Sequence, residues 1–311
     1  MNDSSKSPAP RASTSIDRTG LLLGVTAYAA WGLLPIYFKA LKAVPPFAIV
    51  AHRVIWSLVL LVVLISVTRG WPAIRTALSN RRTTLMLALS AMLIAVNWLL
   101  YVYSVNSGHI LAGSLGYYLN PLANILLGRF FLHERLSRLQ WAAVGIAACG
   151  IALLAVNALG QLWISLVLCA SFASYGLVRK IVAADALTGL TIETSFLAPA
   201  AAAYLVFLHA HGAPWLGGTS HLGLLLVASG VISTLPLLLF TAAARRLPYS
   251  TMGMLQFLAP TLQFLVAVFL YGEAFTRTHA IAFAAIWIAL ALYVAGVVAK
   301  ARDEKVSQPE A

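Results

Sequence analysis

NPLANILLGRFFLHE, residues 120–134, lines up without a gap against APTLQFLVAVFLYGE, residues 259–273. Pro121 meets Pro260, Leu126 meets Leu265, Phe130 meets Phe269 and Glu134 meets Glu273. Apolar matches come cheaply in apolar sequence, yet a gapless match of this length indicates an internal repeat. Both copies lie within apolar runs, and windows of about 20 residues on either side predict membrane-spanning helices. In the first half these are Leu21 to Leu41, Pro46 to Thr68, Thr83 to Asn106, Leu111 to Leu132 and Leu139 to Asn157. In the second they are Leu162 to Val182, Thr188 to His209, Leu222 to Ala244, Ser250 to Tyr271 and Thr278 to Ala299.

Composition agrees with that reading. Hydrophobic residues make up 61% of the 311-residue chain, charged residues 10%, and the mean hydropathy is +0.88, far from the soluble-protein average. The net charge of +12 is spread in short clusters between apolar runs, which argues for topology signals and against a nucleic-acid surface. Cys149 and Cys169 fall inside apolar runs, so neither a disulfide nor a metal site is expected, and no cofactor is implied. Residues 1–17 are polar and rich in Ser and Pro, as in a disordered tail, and nothing before Trp31 reads as a cleaved signal.

With the amino terminus in the cytoplasm, seventeen of the twenty-one basic residues fall on the inner side, including Arg69, Arg75, Arg81 and Arg82. Lys39, Lys42 and Arg277 fall outside, and Arg53 falls within a span. Both termini are therefore expected to be cytoplasmic. The predicted fold is all-α and integral to the membrane: a tail (1–17), a first five-helix repeat (18–157), a second (158–299) and a cytoplasmic tail (300–311). Because each half holds an odd number of spans, the second copy must be inserted upside down. Inverted halves can close alternately on either side of a central site, which is a transporter device.

The runs AYAAWGLLPIYFKAL (27–41), AHRVIWS (51–57), AVNWLLYVYSVNSGHILAGSLGYYLNPLANILLG (95–128) and LLFTAAARRLPYSTMGMLQFLAPTLQF (238–264) resemble the RarD group, in the EamA branch of the drug/metabolite transporter superfamily. The similarity runs from about Leu21 to Ala299. The resemblance implies a ten-helix inverted-repeat carrier of the bacterial inner membrane. It implies no substrate, since the group's label comes from an association with chloramphenicol sensitivity. The amino-terminal tail is longer than is usual in the group.

Polar groups in the spans are the informative ones, because hydrocarbon penalises them when unpaired. Asn97, Tyr101, Ser104 and Gly108 share one face of the third span, and Gly113, Tyr117, Asn120 and Asn124 share one face of the fourth. Gly253, Gln256, Pro260 and Gln263 do so on the ninth; the first span offers Tyr28, Trp31 and Pro35, the sixth Ser171 and Tyr175. Trp31, Arg53, Asn97, Tyr101, Tyr117, Asn120, Tyr175 and Gln256 are the candidate substrate-binding residues, lining a midplane cavity with amides, hydroxyls and rings. The competing reading is structural, since Asn and Gln also glue helices together. Pro121 and Pro260 either hinge their helices or are tolerated kinks.

Arg53 is costly, at roughly 2.5–3.5 kcal/mol for a central Arg, and sits about 10 Å inside the outer edge. It either faces a ligand or gate from the outer side or tethers its helix to the headgroups. Glu193 is the one carboxylate expected within a span; a helix-end pair with Arg179 or Lys180 is favoured over proton coupling. Glu134 and Glu273 are expected to pair with Arg135 or Arg138 and with Arg277. His209, His211 and His221 lack acid or Cys partners for a metal. Gly20 and Gly24 form a weak GxxxG, and the oligomeric state is open.

The expected activity is secondary transport of a small metabolite or drug-like molecule, with that substrate and membrane lipid as partners. No P-loop occurs. The alternative is a membrane-embedded enzyme acting on a lipid or isoprenoid. That chemistry usually needs clustered acids, histidines or a metal, and His133-Glu134 is followed by Ser137 where a zinc-protease pattern requires a second histidine.

Overall fold

The computed structural model of the protein describes residues 17–107, 110–155, 160, 162–272 and 277–306. They form helices α1 (Arg18–Ala40), α2 (Pro46–Val67), α3 (Trp71–Ser79), α4 (Arg81–Asn106), α5 (Ile110–Phe131) and α6 (Arg138–Ala155). There follow α7 (Leu162–Ile181), α8 (Ala186–Ala210), α9 (Ser220–Arg246), α10 (Tyr249–Gln256), α11 (Leu258–Leu265) and α12 (Arg277–Val306). Among the described residues, nine segments are long and apolar enough to cross a membrane. They are α1, α2, α4, α6 to α9, the α10–α11 unit and α12.

Local chemistry sets the helix ends. Asp17 and Asp185 cap α1 and α8 by accepting from the backbone N–H of Gly20 and Thr188. Pro45 and Pro46 open α2, where a fixed φ suits the first turn. α2 stops because Arg69 turns left-handed (φ 54°), letting the Gly70 N–H reach the Ile65 carbonyl at 2.8 Å and the Arg69 N–H reach Ser66 at 3.2 Å.

Three features depart from expectation. The stretch between the second and third predicted spans contains α3, which buries Ile74 and Ala77 and leaves Trp71 exposed. The ninth apolar run is broken: α10 ends at Gln256, Phe257 forms a turn, α11 begins at Leu258, and residues Val266–Leu270 make a π-helical turn. Pro260, lacking an N–H, sits in the first turn of α11, whereas its match Pro121 lies inside an unbroken α5. Finally, α12 continues past Ala299 to Val306.

The packing order places α7 centrally, with 61% of its spanning window buried, the highest of the nine. α2 packs on α8 and α9, α4 on α7 and α8, and α1 on α9, α10 and α11. α5 packs on α7 and α10, while α6 pairs with α12. Small residues allow these approaches: Gly20 and Gly24 face Leu247 and Leu255 of this same chain, so the GxxxG serves an internal contact. The outer surface is apolar, with Leu22, Leu224 and Phe269 at 68%, 70% and 81% exposure, while Ser90, Asn97, Asn120, Asn124, Arg179 and Glu193 are buried. Apolar outside and polar within is the arrangement that hydrocarbon solvent favours.

Candidate functional site

The buried polar residues fall into groups joined by an aromatic centre. On α4, the fully buried Asn97 donates from Nδ2 to the Leu168 carbonyl (2.9 Å) and to Ser171 Oγ (3.1 Å) on α7. Its Oδ1 accepts from the Tyr117 hydroxyl of α5 at 3.3 Å. The Tyr101 ring meets Tyr117 edge-on at 5.3 Å, and Tyr101 is 37% exposed, at the margin of the group. The helical spacing that put Asn97 and Tyr101 on one face and Tyr117 on another thus brings all three together. Gly108 lies outside the described residues, and of Gly113 only its place in α5 is described.

Arg53, on α2, donates from Nε to Ser233 Oγ of α9 at 2.7 Å. Its guanidinium carbon lies 4.8 Å from the Trp98 ring centre and 5.8 Å from that of Phe38, within cation–π range. The Tyr37 and Tyr117 hydroxyls are its electrostatic neighbours, which ties Arg53 to the Asn97–Tyr117 group. Trp98 and Ser233 were not singled out by the sequence, although Trp98 follows Asn97 directly.

Trp31 and Tyr175 join an aromatic cluster. Trp31 lies 5.6 Å from Tyr28, 5.9 Å from Phe172 and 5.5 Å from Phe240; Tyr175 stacks on Phe240 at 6.3 Å. Phe240 is an apolar ring in an apolar run and carries no sequence signal. Phe172 does carry one: YAAWG (28–32) on α1 matches FASYG (172–176) on α7, and both segments supply this cluster.

Asn120, Asn124 and Gln256 lie apart, between α5 and α10. Asn124 Nδ2 donates to Gln256 Oε1 at 2.7 Å, while neither amide atom of the buried Asn120 has a hydrogen-bond partner among the described residues. Gly253 admits the Pro121 carbonyl against α10, and Gln263 donates to the Trp31 carbonyl at 3.2 Å. Gln256 is therefore engaged across a helix contact.

Glu193 of α8 is buried and accepts from the Ser90 hydroxyl of α4. Arg179 Nη1 lies 3.4 Å from Glu193 Oε1, both side chains being enclosed, and Nη2 donates to the carbonyls of Asp185 and Ala186. The pair with Arg179 is present, though deep in the fold and not at an exposed helix end. A narrow cavity between α2, α4, α7, α8 and α9 is lined by Ser57, Trp98, Tyr175, Glu193 and Thr234, so it runs from the ring beneath Arg53 to Glu193.

Charged groups bind the helix ends around Arg179 to one another. Lys180 donates to the carbonyls of Ala244 and Leu247, Arg245 to those of Val182 and Ala184, and Arg246 pairs with Asp17. The Glu134 carboxylate takes the first N–H groups of α10, Tyr249 at 2.5 Å and Ser250 at 2.9 Å. Glu273 lies outside the described residues. Burial works against the charge of Asp185, but hydrogen bonds from Thr188 and nearby backbone N–H groups outweigh it and hold that carboxyl below the usual carboxylate range. At the opposite end His209 and His211 stack on Trp215 and Phe207, and each Nδ1 faces a backbone carbonyl.

Comparison with known proteins follows the same lines. Residues 18–156 match the EamA-like transporter family. An uncharacterized transporter of Vibrio cholerae serotype O1 is 48% identical over 89% of this chain and 92% of its own length. Protein RarD of Escherichia coli (strain K12) is 47% identical over 89% of this chain and 94% of its own. The uncharacterized transporter YojE of Bacillus subtilis is 40% identical over 89% and 93%. A solved crystal structure shares the fold with a TM-score of 0.69 at 20% identity, covering 88% of this chain and 96% of that one. Helices, apolar surface and relatives agree: the chain is a multi-pass membrane protein that belongs to the RarD group of the EamA-like transporter family.

Proposed function

We propose that the protein is a secondary carrier of a small metabolite or drug-like molecule, working by alternating access between two inverted five-helix halves of a bacterial inner-membrane protein. α5 is then the tenth span, and both termini are cytoplasmic. One observation carries the reading. Exchanging α1 with α7, α2 with α8, α4 with α9, α5 with α10–α11 and α6 with α12 maps the main packing partners onto themselves. An odd number of spans in each half then makes the relation an inversion.

The side-chain contacts support a path between the halves. Arg53–Ser233, Asn97–Ser171 and Asn124–Gln256 each join a helix of one half to a helix of the other. Trp31, Arg53, Asn97, Tyr101, Tyr117, Asn120 and Tyr175 are the residues proposed to meet substrate, with Gln256 closing the α5–α10 side.

Metabolite profiling of cells with and without the protein, followed by uptake into proteoliposomes, tests the proposal. A carrier moves its ligand unchanged in mass. Conversion of a compound by the purified protein, with no uptake, contradicts it.

A further inference from the structure

We propose that the ligand carried at Arg53 is an organic anion, with a carboxylate or similar oxyanion beside a flat apolar body. The inference rests on the transport reading above and gives its site a ligand class. Its basis is a comparison of the two halves. Arg53 lies seven residues after Pro46, the first residue of α2, and Glu193 lies seven after Ala186, the first of α8. Each hydrogen-bonds a serine on the third span of the opposite half: Arg53 bonds Ser233 of α9, and Glu193 bonds Ser90 of α4.

The two positions differ in what neutralises them. Glu193 has the Arg179 guanidinium at 3.4 Å. Arg53 has the serine, two rings and no Asp or Glu within ion-pair distance among the described residues. Its Nε is used by Ser233, while Nη1 and Nη2 donate to no described residue. Those two N–H-bearing groups form a planar fork that suits the two oxygens of a carboxylate. A fixed cation in a medium of low dielectric calls for a counter-charge, and Glu193 shows what its counterpart position receives. A ligand oxyanion supplies the missing group at Arg53.

The surroundings specify the rest of the ligand. Trp98 lies beneath the guanidinium at 4.8 Å, Phe38 at 5.8 Å, and the Tyr101–Tyr117 pair adjoins through Tyr117. Rings on several sides favour a flat apolar body over a bare inorganic anion.

The test uses purified full-length protein with naphthalene-2-carboxylate, its neutral carboxamide and acetate as probes. Binding is followed by thermal shift, and movement by uptake of labelled probe into proteoliposomes. The carboxylate should bind and the carboxamide and acetate should bind at least about tenfold more weakly. Arg53→Gln should weaken carboxylate binding by about 30-fold or more and Arg53→Lys by about tenfold, since Lys keeps the charge and loses the fork. If Arg53→Gln does not fold, the wild-type selectivity and the Arg53→Lys loss decide. Equal binding of carboxylate and carboxamide, unchanged affinity in either variant, or binding of no probe overturns the anion site. Uptake of the carboxamide alone overturns it too and leaves the carrier reading standing. Carboxylate bound through Arg53 but never moved supports the anion site and overturns the carrier reading.

Discussion

Gly189 shows how closely one side chain is specified here, because a Cβ at that position would overlap the Arg179 guanidinium. Removing one member of a buried ion pair strands the other, at about 3–5 kcal/mol. Arg179→Met should therefore lower stability in detergent by about that amount, and the double substitution Arg179→Met with Glu193→Met should be more stable than Arg179→Met alone. Gly189→Ala meets the far end of the Arg179 side chain, so it should lower stability by less than Arg179→Met; wild-type thermal stability in that variant would contradict the packing. Asn97 tests function at the same scale. Asn97→Ala should abolish transport with membrane abundance near normal, whereas equal loss of both would favour the glue reading. The sequence exposed Asn97, Tyr117 and Arg53 because polar residues stand out in apolar runs. Ser233 and Phe240 were illegible: Ser is common between helices, and an apolar ring is unremarkable in a span.

Among the elements, α10 depends most on a distant residue. It has no side-chain cap of its own, and its first N–H groups go to Glu134, which follows α5 after the left-handed His133 (φ 55°). Glu134→Ala should cost about 1–3 kcal/mol through two lost charge-assisted bonds and raise hydrogen exchange in the first turn of α10. Unchanged exchange there would contradict the capping role. Asp185 gives a pH signature at the start of α8. Its folded carboxyl titrates below the ordinary value, so its contribution is present above that ordinary value and fades as pH falls through the folded one. The acid limb of the stability profile should therefore flatten in Asp185→Asn. Helix boundaries, apart from the end of α12, were readable to within a few residues because hydropathy changes abruptly at span ends. The break at Phe257 was not, since Pro260 and Pro121 look alike in sequence while only one lies beside an interruption.

For the whole molecule, the charge bias, the sequence match and the packing support the proposed architecture. The basic clusters predict that a cysteine at position 75, in α3, is labelled only from the cytoplasmic side; labelling from outside in intact cells would overturn the orientation. The proposed repeat rests in sequence on the match ending at Glu134 and Glu273, whereas the proposed pairing of Arg53 with Glu193 leaves no such trace, because opposite charges do not align as sequence. Alternating access is tested most directly at Ser233, which is buried beside Arg53 at a contact between the proposed halves. In protein with Cys149 and Cys169 replaced by Ala, a cysteine at position 233 is exposed to a small impermeant thiol reagent in right-side-out and in inverted vesicles. Alternating access predicts labelling from both sides, slowed by bound substrate in each; labelling from one side only, under every condition, would rule it out.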